Sequence, residues 1–506
     1  MSTEGRTQKA GKNFIMGILN KVVVLVLTFF SRRLFIEYIG VQFLGINGLF
    51  SNVLTLLSMA DLGFSVAMSY SLYEPLADNN ESKIAALINF YRKIYNAIAI
   101  VVFIIGLGLT PFLQYLINMD RDIEYIHIYY LVFLANTVIS YLFVYKSTII
   151  SADQKAYIIN KYSIVLNVVK ISFQMIVIVF IRSYLAYILL EVLYTLCNNL
   201  LISYKADRMY PYIKHKNILE KSEKRQIISN MKSVIIYKVS GVLLNGIDNI
   251  VMSIVVGTVF VGYYSNYQTI ITNVTAFVGI AFNSITASVG NVVVTENEKT
   301  RYKIFQTMQM VSFWLGGVIT VSIGVLLQDF ITIWLGRNFL LDNLAVIAII
   351  FNLYFSTTLY PVWTYREATG LYEKTKYVML VASGINLILS VFMAQKLGVS
   401  GVIFATVLSK FLTYFWYEPK LLYQMYFKQE VKSYYLDYFM NLFVVVGIIV
   451  ILTYFFQVIT IGNIYLLFLI KAITCIGVIN LVLVARYFRT EEFSFLLEKI
   501  KRVVRH

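Results

Sequence analysis

The chain has 506 residues, of which 59% are hydrophobic and only 14% charged, with a mean hydropathy of +0.72. A soluble chain of this length carries about 25% charged residues and divides into several domains, so a soluble enzyme, a disulfide scaffold and a disordered chain are excluded. The net charge of +16 points either to nucleic acid or to basic cytoplasmic loops of a membrane protein, and the placement of the charges decides between them.

The opening stretch MSTEGRTQKAGKN is polar and basic. The apolar run from Phe14 to Phe30 lacks a small-residue cleavage site and continues into Arg32 and Arg33, so it reads as an uncleaved first span. About 20 apolar residues cross a bilayer. Apolar runs broken by charge, Gly or Pro predict fourteen spans, near 13–38, 46–74, 84–111, 126–150, 157–181, 185–204, 231–256, 261–294, 303–327, 342–366, 375–394, 401–424, 437–457 and 464–487. The longest polar connection, KADRMYPYIKHKNILEKSEKRQIISN at 205–230, separates six spans from eight. The expected organisation is an N-terminal lobe at 1–204, a cytoplasmic linker at 205–230 and a second lobe at 231–424. Two additional spans at 425–487 and an amphipathic cytoplasmic tail at 488–506 follow.

With the N-terminus placed inside, 33 of the 43 Lys and Arg residues fall in inner segments. The outer side and outer span ends hold Arg32, Arg33, Arg121, Arg182, Arg337 and Lys396. That asymmetry puts both termini in the cytoplasm and disfavours nucleic acid, because the basic residues sit in separate loops. In the tail, Phe493, Leu496, Leu497, Ile500, Val503 and Val504 recur at helical intervals beside Lys499, Lys501, Arg502 and Arg505. Two readings stand: an interfacial helix on anionic lipid, or a cap on the protein's own cytoplasmic face.

Cys197 and Cys475 both lie in apolar segments, and His127, His215 and His506 are scattered, so neither a disulfide nor a metal site is expected. No nucleotide-binding or nucleophile motif appears. No catalytic residue, no cofactor and no enzymatic activity are expected.

A shift of 217 places Lys21 on Lys238, Gly40 on Gly257, Phe43 on Phe260, Gly45 on Gly262 and Thr55 on Thr272. Nearby offsets continue the match: Asn167 meets Asn386 at 219. The expectation is a duplication of six spans, both copies entering the membrane the same way, with a binding site between them.

The stretch FIEYIGVQFLGINGLFSNVLTLLSMADLGFSVAMSYSLYEPLAD is similar to the first loop and second span of Wzx-like polysaccharide transporters. So are DNIVMSIVVGTVFVGYYSNYQTI and YREATGLYEKTKYVMLVASGINLILSVFMAQKLGVSGVIFATVLSK. These transporters belong to the multidrug/oligosaccharidyl-lipid/polysaccharide (MOP) exporter superfamily. The resemblance implies an all-α polytopic fold, two six-helix lobes related by a pseudo-two-fold with two extra C-terminal helices. It also implies a flippase in a bacterial cytoplasmic membrane. Its substrate would be an undecaprenyl-pyrophosphate-linked oligosaccharide, moved by alternating access for capsule or exopolysaccharide assembly.

Ionisable groups inside spans are costly and face a cavity or a partner. Arg32 and Arg33 suit the pyrophosphate, which a guanidinium fork binds well; a static salt bridge or, for Arg33, snorkelling is the bland reading. The repeat places Ser31 and Arg32 opposite Asp248 and Asn249, so Asp248 would act as a gate by pairing with an Arg in one state. Lys21 and Lys238 either meet the anionic headgroup or snorkel. Glu191 aligns with Lys410 at the 219 offset, and the two are expected to form a structural pair. Asp61 either binds a coupling proton or sodium ion or neutralises an Arg. Glu367, beside Arg366, reads as a gate or loop salt bridge. Lys471 lies in an added span and is expected to contact lipid or a lobe. Tyr263 and Asn266 are candidates for sugar contact, against the ordinary use of Tyr at membrane interfaces. The expected partners are the lipid-linked substrate, membrane lipids and a coupling ion. A cation-coupled multidrug exporter of the same superfamily is the alternative, and it calls for acidic cavity walls. A membrane glycosyltransferase or polysaccharide polymerase, a further class, needs catalytic acids or a sizeable extramembrane loop, and the outer loops here are short.

Overall fold

Lipid offers no partner to a backbone N–H or C=O, so long apolar segments must satisfy those groups within a helix. The computed structural model follows that rule, and describes residues 6–58, 64–119, 123–215, 217–459 and 461–504. No strand occurs among the described residues. The chain divides into two compact units, Met1–Gly262 and Tyr263–His506.

The first unit contains α1 (Arg6–Tyr38), α2 (Val41–Leu57), α3 (Phe64–Ala77), α4 (Glu81–Leu109), the single turn α5 (Leu113–Leu116), α6 (Ile126–Ala152), α7 (Ala156–Ile176), α8 (Tyr184–Met209) and α9 (Lys221–Val251). α10 (Thr258–Thr295) starts in this unit and runs into the second. α1 packs along α7, and α6 lies between α4 and α8. The core centres on Phe50, Tyr91, Tyr95 and Tyr130, all fully buried. A buried tyrosine needs a partner for its hydroxyl, and that of Tyr130 donates to the Gly106 carbonyl at 3.0 Å.

Two glycines at equivalent places in the sequence repeat share a rare backbone. Gly40 (φ 108°, ψ 152°) joins α1 to α2, and Gly257 (φ 136°, ψ 142°) joins the π-turn after α9 to α10. Side chains rarely tolerate that region. Their partners in the repeat, Gly45 and Gly262, let α2 and the start of α10 approach at backbone distance. A Cβ at Gly45 would lie 2.0 Å from the Thr258 carbonyl oxygen, and one at Gly262 2.4 Å from that of Val41.

The 205–230 connection is tied down inside the first unit. Lys146 pairs with Asp207 at 2.8 Å, the Tyr210 hydroxyl donates to Asp153 at 2.8 Å, and Asn217 donates to Ser82. Burial, then the adjacent Asp153, hold the Tyr210 hydroxyl well above its ordinary pKa, so it remains a donor.

The second unit contains α11 (Glu298–Trp334), α12 (Asn343–Thr358), α13 (Tyr360–Thr369), α14 (Tyr372–Leu412), α15 (Tyr414–Leu422), α16 (Lys432–Val458), α17 (Ile464–Tyr487) and α18 (Glu491–Val504). α14 bends at Gly398 (φ 56°, ψ −134°), where the sequence separates the spans at 375–394 and 401–424. α18 packs on α11: Phe493 stacks on Trp314 with centroids 6.0 Å apart, and Lys303 pairs with Glu491 at 3.3 Å. The described part of the tail is thus a cap on its own unit.

Among the described residues ten helices are long and apolar enough to cross a membrane, or eleven when the bent pair α12–α13 counts as one. This is a multi-pass membrane protein, and fourteen spans is the sequence's number rather than this count. The predicted spans absent from the ten are instructive. α2 is apolar but only 17 residues long, and α10 is interrupted by Asn, Thr, Ser and Gln. They occupy matching positions in the repeat.

Candidate substrate cavity

α2, α6 and α8 surround a cavity of about 560 Å³ in the first unit. α2 presents Asn47, Ser51, Thr55 and Ser58 to it, α6 presents Asn136, Thr137 and Ser140, and α8 presents Tyr187 and Glu191. On α2 and α6 these residues recur three or four apart, which puts each set on one helical face. Ser51 and Thr55 are exposed on an otherwise apolar helix.

The hydroxyls are oriented by their own backbones. Thr55 donates to the Ser51 carbonyl at 2.6 Å, Ser58 to Leu54 at 2.6 Å, Thr137 to Phe133 at 3.0 Å and Ser140 to Thr137 at 2.7 Å. Each donor is consumed within the helix, so the oxygen lone pairs are what remains for the cavity. Asn47 Oδ1 accepts from the Tyr184 hydroxyl at 2.6 Å, and Asn136 Oδ1 is buried without a hydrogen-bond partner. The wall is therefore rich in acceptors, the complement of sugar hydroxyl donors.

Among the described residues, Glu191 is the one acidic side chain lining this cavity. Lys170 reaches it with Nζ 3.1 Å from each carboxylate oxygen, and Gln174 Nε2 donates to it at 3.4 Å. Lys170 also lies 4.4 Å from the centre of the Tyr194 ring, whose hydroxyl accepts from Asn167. Tyr187 lies between two charges, in electrostatic reach of both Glu191 and Arg32. The arrangement runs from Arg32 on α1 through Tyr187 and Glu191 on α8 to Lys170 on α7.

The structure thus brings together Arg32 and Glu191 from the sequence expectations. Arg32 is half-buried, while Arg33 and Lys21 are exposed on α1. Asp248 is 5% exposed on α9. Asp61 and the Lys238 side chain lie outside the described residues. In place of the expected pairing of Glu191 with Lys410, Glu191, only partly buried, holds Lys170, and the buried Lys410 donates to Asn352 Oδ1 at 2.8 Å. Each of the two is held by a partner on a neighbouring helix of its own unit. Glu367 is exposed, and the ion pair belongs to its neighbour. Arg366 Nη1 meets both Glu418 oxygens, at 2.7 and 2.9 Å, in a fully buried bridge from α13 to α15. Lys471 pairs with Asp329 of α11 at 2.6 Å, the lobe contact expected of it. Tyr263 is half-buried with its ring edge on Phe339, and Asn266 is fully buried. The adjacent Tyr267 is buried in a network with Gln328 and the Leu341 amide, at 2.6 and 2.9 Å. Sequence reasoning centred on charges missed Asn47, Ser51, Asn136 and Tyr187. Their signal is a stripe of hydroxyls and amides at helical spacing inside apolar helices.

No protein-family model and no curated protein matches the chain. Solved structures do. A lipid II flippase, MurJ, in an inward closed conformation superposes with a TM-score of 0.65 at 15% identity, covering 94% of this chain and 99% of that one. An inward-facing multidrug resistance MATE family transporter of the MOP superfamily gives 0.56 at 12%, covering 78% and 95%. A MOP superfamily transporter from Pyrococcus furiosus, described as having a binding pocket of reverse polarity, gives 0.55 at 12%, covering 79% and 92%. The chain has the MOP fold. Within that fold, the polar cavity lies in the N-terminal part of the chain, and α16 and α17 extend beyond the twelve spans expected of the repeat.

Proposed function

We propose that this MOP-fold protein is a flippase for an anionic, lipid-linked saccharide. The finer reading is an undecaprenyl-pyrophosphate-linked oligosaccharide repeat unit, moved across a bacterial cytoplasmic membrane by alternating access for capsule or exopolysaccharide synthesis. The observation that carries it is the wall of the cavity: acceptor oxygens for sugar hydroxyls, a carboxylate already neutralised by Lys170, and the Arg32 guanidinium close behind Tyr187. A ligand drives such a cycle only through different affinities for the two states, and Arg32 is the residue we assign to the pyrophosphate. Asp248 as a gate, Lys21 and Lys238 as headgroup contacts, and two lobes joined by the 205–230 connection complete the proposal.

The comparisons support the flippase side. Matching 94% of this chain requires part of the 425–487 segment, whereas the MATE neighbour is matched over 95% of its own length with 78% of this chain. The multidrug-exporter alternative needs a carboxylate free to hold a cation, and Glu191, the acid among the described lining residues, is paired. Deleting the gene and identifying the lipid-linked intermediate left on the inner leaflet tests the proposal. An accumulated pyrophosphate-linked oligosaccharide is expected. Unchanged lipid intermediates together with heightened drug sensitivity would transfer the assignment to the exporter.

A further inference from the structure

The second unit holds a further cavity. Its volume is about 240 Å³, and it lies between α11, the π-turn after α15, α16 and the corner from α17 to α18. Its walls are aromatic. Tyr302, Phe305 and Tyr434 surround Tyr423, with ring centroids 5.7, 5.8 and 5.9 Å from it. Polar groups converge among the rings, and three of their buried atoms have no hydrogen-bond partner: Gln309 Oε1, the Tyr434 hydroxyl and Arg486 Nε. Gln309 and Tyr434 are only 6% and 3% exposed. Gln309 Nε2 donates to the Thr358 carbonyl at 3.0 Å, which fixes the amide and leaves its oxygen as the open acceptor. The ion pair here is loose, with Arg486 Nη2 3.9 Å from Asp437 Oδ1, and Glu492 shares the field of Asp437. Asp437 thus stands beside both the Arg486 guanidinium and Glu492.

Buried polar atoms are almost always satisfied by protein, water or ligand. Ring faces with nearby carboxylates favour an organic cation. A guanidinium N–H and a hydroxyl call for an oxyanion. We propose that this cavity binds a zwitterionic ammonium–phosphate group, the chemistry of an ethanolamine phospholipid headgroup. The ammonium lies against the rings, donating to Gln309 Oε1 and facing Asp437 and Glu492. The phosphate accepts from Arg486 Nε–H and the Tyr434 hydroxyl. Arg301 and Lys303 lie on the same end of α11 and make that end basic, as a headgroup site requires. The inference stands on these contacts alone and not on the flippase assignment.

The test uses the full chain, purified and delipidated in detergent, with thermal unfolding as the readout. Four probes are compared: phosphatidylethanolamine, phosphatidylglycerol, glycerophosphoethanolamine and glycerophosphoglycerol. The ethanolamine lipid is expected to raise the melting temperature and the glycerol compounds to leave it unchanged. Asp437→Asn and Gln309→Leu are each expected to weaken the apparent affinity at least tenfold. Stabilisation by the lipid alone assigns the source to the membrane; stabilisation by glycerophosphoethanolamine as well assigns it to the headgroup from either source. Equal effects of ethanolamine and glycerol probes, no effect of either ethanolamine probe, or unchanged affinity in both variants would overturn the site. Should a variant fold poorly, native mass spectrometry of the parent protein decides. Preferential retention of one ethanolamine lipid supports the site, and indifferent retention overturns it.

Discussion

Arg32 and Arg33 are adjacent in sequence and about 100° apart around α1, so one is half-buried beside Tyr187 and the other exposed. That difference makes a paired prediction. Arg32→Ala at normal expression is expected to cut delivery of surface polysaccharide at least tenfold, and Arg33→Ala to leave it within about twofold. Equal effects of the two would mean that position around the helix is irrelevant and would remove Arg32 from the cavity. The Arg366–Glu418 bridge makes a different one. Removing one member of a buried pair strands a charge, at about 3–5 kcal/mol, whereas replacing both by apolar groups of similar volume is roughly neutral. Glu418→Ala should therefore lower the melting temperature sharply, and Arg366→Met with Glu418→Leu should restore most of it. Sequence reasoning fixed on Glu367 here, because adjacency is visible in a sequence and a partner 52 residues away is not.

At the scale of elements, the apolar spans were legible because hydropathy is summed over many residues and survives single errors. The breaks between them were legible as well: Gly40, Gly257 and Gly398 mark turns that only glycine adopts easily. What escaped was the facing of each helix. The stripe of Asn47, Ser51 and Thr55 on α2 carries no charge, so it disappears into the apolar average of its segment. The close approach of α2 and α10 supplies an element-scale test. Gly45→Ala and Gly262→Ala each drive a methyl group into a backbone carbonyl, which cannot rotate aside, so the helices must separate. Both are expected to lower the melting temperature by several degrees. Gly108→Ala, with nothing within 4 Å of the new Cβ, should be neutral or slightly stabilising.

For the whole molecule, charge asymmetry predicts topology. We propose that both termini lie in the cytoplasm, because 33 of 43 basic residues then fall on that side. A phosphatase that is active only outside the membrane should be inactive when fused at either end and active when inserted near Arg337. Activity at either terminus would reverse the orientation. The fold was legible through the repeat and the resemblance, while ion-pair partners were not, since pairing depends on helix rotation that spacing does not encode. The repeat also explains a detail of the α2–α10 contact. Residues 41 and 258 are equivalent in the repeat, as are 45 and 262. Gly45 meets Thr258 while Gly262 meets Val41, so each side offers the other the same two positions in exchange. That is the signature of an isologous interface, in which one surface patch recognises its own copy. We propose that it is the contact two separate six-span chains would make as a homodimer. Inside a single polypeptide the two sides of that contact are free to diverge in charge.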